Sequence, residues 1–173
     1  LVSRRQWFDR QFESGIPVEA YPDIIERLRG TPARVEERVR RLDSAVLTNR
    51  VADTWSIQEN VGHLVVVESL WDGRIDELAA GAEHLRPADL TNRRTEDSRF
   101  NGLDLAEILA EFRAARRNIV AKLEGLTPAQ LATRAIHPRL QQPMSAVDLA
   151  FFAAEHDDHH LARITEILRL PSH

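Results

Sequence analysis

Along this chain apolar residues recur at intervals of three and four, and nowhere do they alternate with polar ones for more than a few positions, which predicts an all-helical protein. Ile24, Ile25, Leu28, Val35, Val39 and Leu42 line one face of a first helical region from about Val18 to Ser44. The tetrad "RGTP" interrupts it. Gly30 loosens the turn, and Thr31 with Pro32 suits the cap and first residue of a restarted helix, so a kink is expected near residue 31. In "WSIQENVGHLVVVESLWDGRIDELAAG", Ser56 and Glu59 form a capping box ahead of a long periodic stretch ending at Gly81, which gives a second helix over 56–80. Residues 82–103 are polar and keep no period, so a long connection with a short helical turn is expected; connections of that length commonly cover a site or carry the chain across a bundle. Asp104 and Glu107 open a third helix, in which Leu105, Ile108, Phe112, Ala115, Ile119 and Leu123 keep the helical spacing up to Gly125. "LTPAQL" gives a brief turn capped by Thr127 and Pro128. The last helix starts at Ser145, with Asp148 as its N3 partner and Met144 and Leu149 at staple spacing, and runs to about Leu168, ahead of Pro171.

Four amphipathic helices, one kinked and two joined by a long crossover, predict a four-helix bundle in a single domain over residues 1–173, with 1–17 as an N-terminal arm. A length of 173 residues and a hydrophobic content of 43% suffice for one well-buried core and give no reason to expect a second.

Charge and composition narrow the partners. The net charge is −4 and Lys122 is the only lysine, so no basic stripe exists to neutralise phosphates and nucleic acid is not an expected partner. The longest apolar run, "LAFFAA" at 149–154, is far short of the roughly 20 residues of a membrane span, and "LVSRRQWFDRQF" has no apolar leader core. The expectation is a soluble, cytoplasmic protein without membrane contact. The absence of cysteine excludes disulfides, thiolate-held zinc and a protein thiol nucleophile, so any metal must be held by nitrogen and oxygen.

The segment "AEHDDHH" breaks the hydrophobic pattern. The interior stripe of the last helix would be Leu149, Phe152 or Ala153, His156, His160, Ile164 and Ile167, so two core positions are imidazoles. Spaced four apart, His156 and His160 lie one above the other and can converge on one ion. Burying them unpaired would cost roughly 1–3 kcal/mol per polar group, which calls for a partner. His159 lies about 100° round the helix and belongs to the flank. On the second helix His63 falls among Val66, Val67 and Leu70, with Glu59 one turn earlier, and supplies a third inward imidazole. Two readings fit these residues alone: hydrogen-bonded core histidines beside a solvated acidic face that includes Asp158, or His63, His156 and His160 around one ion. There is no H-E-x-x-H motif and no Glu-x-x-His pair of the di-iron kind, so three histidines on a single ion is the metal arrangement that survives.

At this point "WSIQENVGHL" (55–64) and "AEHDDHHLARI" (154–164), in their order and helical context, resemble the DinB/YfiT-like metal-binding four-helix bundles, in particular the DinB-like subgroup; the name refers to DNA-damage inducibility and not to the DNA polymerase that shares it. The early segment "YPDIIERLRGTPARVEERV" is similar to the family's first helix, so the likeness runs from about residue 20 to 170. The resemblance implies an up-down-down-up bundle with a divalent ion near one end, held at the positions of His63, His156 and His160. Many relatives carry glutamine three residues after the last ligand, where this chain has Arg163. The resemblance also brings thiol-dependent transferases and isomerases into view, together with members of no established activity.

Three neutral imidazoles on a divalent cation leave an open coordination position, the arrangement of catalytic rather than structural zinc. Zinc or nickel is the first expectation, with iron, cobalt or manganese also able to accept nitrogen ligands. Such an ion lowers the pKa of a bound water toward about 7, or holds a thiol as thiolate, so hydrolysis and thiol transfer are both open. Thiol transfer is slightly favoured on the resemblance, with a low-molecular-weight thiol and an electrophilic small molecule as partners, and a homodimer is left open. No catalytic residue is assigned. Glu59 and Asp157 are the candidates, although Glu59 already has a structural job in its capping box. Glu59, Glu155 and Asp157 are also candidates to orient the ligating imidazoles. The competing expectations are a non-catalytic metal-binding or stress-response protein whose ion closes the bundle, and a metal-free bundle acting through partner contacts.

Overall fold

The computed structural model describes residues 4–170, so the expected stop at Pro171 and the first three residues of the arm lie outside the described residues. The elements in chain order are helices α1 (Tyr21–Val39), α2 (Ser44–Thr48), α3 (Ile57–Ala79), α4 (Arg93–Asp97), α5 (Leu105–Glu124) and α6 (Pro128–Ala132), a two-stranded pair β1 (Ala135–Ile136) and β2 (Pro143–Met144), and helix α7 (Ala146–Ile167), with short 3-10 turns between. No helix is long and apolar enough to cross a membrane.

Helix boundaries follow their caps. Ser56 accepts from the Glu59 backbone N–H while the Glu59 carboxylate accepts from that of Ser56, and Ser145 with Asp148 does the same for α7. Asp104 caps α5, and Thr127 with Gln130 caps α6. The first helical region is shorter than its apolar spacing suggests: α1 ends at Val39, and α2 is a separate turn of helix capped at Asp43.

Ion pairs and hydrogen bonds give the helix directions. Gln58 at the start of α3 donates to Leu103 at the start of α5, and Lys122 near the end of α5 reaches Asp72 and Asp76 late in α3, so these neighbours are parallel. Arg27 and Arg38 of α1 meet Glu155 and Thr165 of α7, which makes that pair parallel too. Arg29 meets Glu124, and Glu36 meets Arg113, so α1 and α5 are antiparallel. The result is a four-helix bundle with up-down-down-up topology. The segment 80–104 is the crossover that the parallel α3 and α5 require, and it carries α4.

The core has two apolar clusters, one around Leu28, Ile75, Ile119 and Leu149 and the other around Val35, Leu64, Phe112 and Ile164. Each long helix passes from one to the other through a buried polar position: Thr31, Glu68, Arg116 and Asp157. Arg116 joins this layer, donating to Glu68 Oε1 at 2.5 Å, Asp157 Oδ2 at 2.5 Å and the Leu28 carbonyl at 3.1 Å. That carbonyl is the one left without its helical donor by Pro32, which has no N–H to offer. The helix is not interrupted at "RGTP": α1 continues through Pro32, because the polar layer satisfies the group that proline frees.

Candidate metal centre

Helices α3 and α7 pack antiparallel and place three imidazoles against one another. His63 sits two turns into α3, and His156 and His160 are one turn apart on α7, each only 7–8% exposed. Their ring centroids are 4.6–5.4 Å apart, and one ligand nitrogen from each lies within 4.8 Å of the other two.

Neighbouring polar groups fix the rings. Asn60 Nδ2 donates to the Ser56 carbonyl at 2.8 Å, so Asn60 Oδ1 is the acceptor 2.9 Å from His160 Nδ1. His160 Nδ1 therefore carries the proton, and the lone pair of the neutral ring is on Nε2. Thr95 of α4 holds His63 Nδ1 at 2.9 Å, leaving His63 Nε2 free as well. His156 Nδ1 is buried with no hydrogen-bond partner among the described residues. Such an orphan costs about 1–3 kcal/mol, and a cation shared with its neighbours would offset it.

Burial disfavours charge on all three rings. His63 is pushed down to about 4, with a further contribution from His159, and His156 and His160 are held well below the ordinary histidine range, first by burial and then by the neighbouring imidazoles. At neutral pH each offers a lone pair with no proton to displace. A tetrahedral ion with about 2.0–2.1 Å metal–nitrogen bonds needs its ligand nitrogens roughly 3.4 Å apart, so modest closure of the cluster suffices. The donor set, its neutrality and the orphaned nitrogen fit a divalent transition metal.

The imidazoles open onto a cavity of about 690 Å³ walled by the bundle, the N-terminal arm, the crossover and the β1–β2 turn. Trp55 lies 4.7 Å from the His63 ring, and Trp7 and Trp71 lie 5.0 Å and 5.7 Å from His156. The arm is anchored by Asp148 Oδ1, which accepts from the Gly15 and Ile16 backbone N–H groups. The crossover comes close because residue 62 is glycine: a Cβ there would overlap the Phe100 ring.

A family model described as the DinB superfamily matches residues 27–164. The chain belongs to the DinB superfamily. Among solved structures, this DinB-superfamily chain is similar to YfiT from Bacillus subtilis, described as a probable metal-dependent hydrolase with an unusual four-helix bundle topology; identity is 21%, 92% of each chain is covered, and the TM-score is 0.79. It is also similar in fold to a mycothiol-dependent maleylpyruvate isomerase, at 9% identity and a TM-score of 0.67, over 85% of this chain and 60% of that one. No curated protein sequence matches the chain.

Of the residues singled out from the sequence, His63, His156 and His160 come together, and His159 lines the cavity on the flank, with Arg4 Nη1 2.9 Å from its Nε2. The carboxylates go elsewhere. Asp157 is fully buried against Arg116, and Glu59 is committed to Arg50 and to the Ser56 backbone; neither lines the cavity. Burial opposes ionisation of Glu59, but Arg50 and Ser56 outweigh it and hold its pKa below the usual range. Glu155 pairs with Arg10 and Arg27, and Asp158 with Arg27 and Arg34. The expectation of carboxylates orienting the imidazoles is thus corrected: for His63 and His160 the partners are Thr95 and Asn60, a hydroxyl and an amide. Asn60 had a signal, being a polar residue one turn before His63 on the same inward face. Thr95 had none, because it comes from a connection with no period. Arg163, at the position where relatives carry glutamine, pairs with Glu166 and donates to Thr54 at the cavity edge.

Proposed function

We propose that this protein is a metal-dependent enzyme in which His63, His156 and His160 hold one divalent transition metal, and that it transfers a low-molecular-weight thiol to an electrophilic small molecule. The observation that carries the reading is the buried, unpartnered His156 Nδ1 beside two imidazoles whose other nitrogens are already tied, at the wall of a large open cavity. When bound, such an ion supplies Lewis acidity and makes a coordinating thiol or water a nucleophile, which a cysteine-free chain cannot provide itself.

The chain's own residues orient and enclose. Thr95 and Asn60 hold the His63 and His160 rings in place, and Trp7, Trp55 and Trp71 give the site apolar walls. A cavity of about 690 Å³ has the size of sites for complete small-molecule ligands, and favours a thiol and its acceptor together over a single water. The thiol-dependent isomerase among the fold neighbours adds to this side, and the hydrolase description of YfiT to the other.

The test begins with elemental analysis of the purified protein beside His63→Ala and His160→Ala. Near-stoichiometric transition metal in the wild type and its loss in both variants is the expected result; retention in both variants overturns the site. Assays of the loaded protein with a low-molecular-weight thiol and an electrophile then decide the chemistry. Consumption of the electrophile that requires thiol supports transfer, consumption with water alone makes the protein a hydrolase, and none with either leaves a metal-binding protein without turnover.

A further inference from the structure

Three buried side-chain nitrogens lack a hydrogen-bond partner among the described residues, His156 Nδ1, Trp71 Nε1 and Arg139 Nη2, and all three belong to residues lining the same cavity. The first belongs to the histidine cluster. The other two are donors without acceptors, and they lie in another part of the wall, beside Arg74 and His137.

Arg74 is 2% exposed yet has no carboxylate partner among the described residues. Its Nε and Nη2 donate to the Arg86 carbonyl at 3.1 Å and 2.9 Å, and its Nη1 lies 3.1 Å from His137 Nε2. The backbone N–H groups of Arg139 and Leu140 both donate to His137 Nδ1, each at 3.2 Å. Arg74 Nη1 can only donate, so it is held against the His137 ring rather than against a carboxylate. Arg139 has no ion-pair partner among the described residues either; its guanidinium lies over the rings of Trp7, Phe8 and Phe152 at 5.6–5.8 Å, an apolar cradle that holds a cation without occupying its N–H groups. Burial lowers the pKa of Arg74 to about 10 and also lowers that of Arg139, and Arg74 remains charged at neutral pH.

We propose that Arg74 and Arg139, with the N–H group of Trp71, form an anion subsite that binds the carboxylate of a small-molecule substrate in the same cavity as the three histidines. Two cations and two unpartnered donors, Trp71 Nε1 and Arg139 Nη2, on one cavity wall are the complement of a carboxylate, whose two oxygens offer about four lone-pair positions. One aromatic ring separates the two parts of the cavity. The Trp71 ring is 5.7 Å from both the His156 ring and the Arg74 guanidinium, and Trp7 lies 5.0 Å from His156 and 5.8 Å from Arg139. A substrate held at its carboxylate would thus present a group a few bonds away to the histidines. Its use in catalysis rests on the function proposed above, whereas the binding of the anion does not.

Benzoate and its neutral isostere benzamide are the probes, followed by tryptophan fluorescence on the full chain, both as purified and after chelation. Benzoate is expected to bind saturably, at least tenfold more tightly than benzamide, and equally with and without metal. Arg139→Gln is expected to weaken benzoate tenfold or more and leave benzamide unchanged, with circular dichroism and melting temperature confirming the fold. Arg74→Met repeats the test from the other side of the subsite. Equal affinity for the two probes, or benzoate binding that survives both substitutions, overturns the proposal. Benzoate binding abolished by chelation overturns it too, since the anion would then sit on the ion. Inorganic phosphate displacing benzoate at lower concentration overturns the carboxylate assignment. If the protein holds no metal at all, the proposed function fails while benzoate binding stands.

Discussion

Two buried arginines in this bundle have opposite surroundings. Arg116, 1% exposed, faces two carboxylates and a backbone carbonyl, and with them closes the polar layer between the two halves of the core. Arg74, 2% exposed, faces a backbone carbonyl and a histidine ring nitrogen. Burial lowers the pKa of both, but for Arg116 the carboxylates outweigh it and raise the value above that of a free arginine. Glu68 shows the other side of that bargain: burial, opposed by Arg116, pushes its pKa up to about 7, since Glu68 and Asp157 share one cation. A buried charge with its partners built in is structure, and one whose partner must come from outside marks a place for a ligand. The same contrast separates the polar layer from the cavity wall, where the imidazoles are held neutral.

The largest expected effect falls on the wall. An unfolded histidine takes up a proton near pH 6.5, whereas in the metal-free fold His63 does so only near 4 and His156 and His160 lower still. Between those values the unfolded chain binds more protons, so stability falls as pH drops from about 6.5, by up to about 1.4 kcal/mol per pH unit for each ring that stays neutral in the fold. Glu68 works in the opposite sense, one proton against those of the three cluster rings and of His137 and His159, which burial also holds down, at about 3 and about 4. Melting temperatures of the chelated protein between pH 7 and 4.5 check this, with a steep fall expected; a flat profile means that the rings titrate normally and the wall is open to water.

Next comes the polar layer. Arg116→Met leaves Glu68 and Asp157 buried without a cation and frees the Leu28 carbonyl again, at a cost of about 3–5 kcal/mol. Urea unfolding of the chelated protein at pH 7 reads this directly. Little change would show that the layer is not what joins the two apolar clusters.

What could be read from the sequence follows the same division. The four long helices, their caps at Ser56, Asp104 and Ser145, and the shared face of His156 and His160 rest on local spacing, and they stand in the structure. The interruption expected at Pro32 is absent because the donor to its freed carbonyl, Arg116, lies 84 positions away on another helix, beyond the reach of local spacing. Thr95, Trp7 and the His137–Arg139 turn escaped notice because they come from the crossover, the arm and a short strand pair, where no periodicity says which residue points inward. Local rules expose helices and the residues that share a face; pairings across the bundle set which of those faces carries chemistry.

A smaller effect tests how closely the crossover seals the cavity. Gly62→Ala places a methyl group into the Phe100 ring one residue from His63, and is expected to cost about 1–3 kcal/mol. Because Phe100 follows α4 closely in the crossover, metal content should fall with stability as Thr95 shifts from His63. Stability lost with metal retained would mean that Thr95 is not what holds the ring in position.

The smallest effect is the most discriminating. Arg74→Met is the same substitution as Arg116→Met at nearly the same burial, but here it removes a charge that pairs with no carboxylate among the described residues. Two bonds to the Arg86 carbonyl are lost, worth about 1 kcal/mol each, and the relief of a desolvated cation that Glu77 offsets only in part returns a comparable amount. The net change in urea unfolding is expected within about 1 kcal/mol of zero, a gain being as acceptable as a loss. An arginine whose removal leaves stability where it was is kept for what it binds. If Arg74→Met instead costs as much as Arg116→Met, Arg74 is a clamp for the crossover, and the contrast between the two arginines disappears.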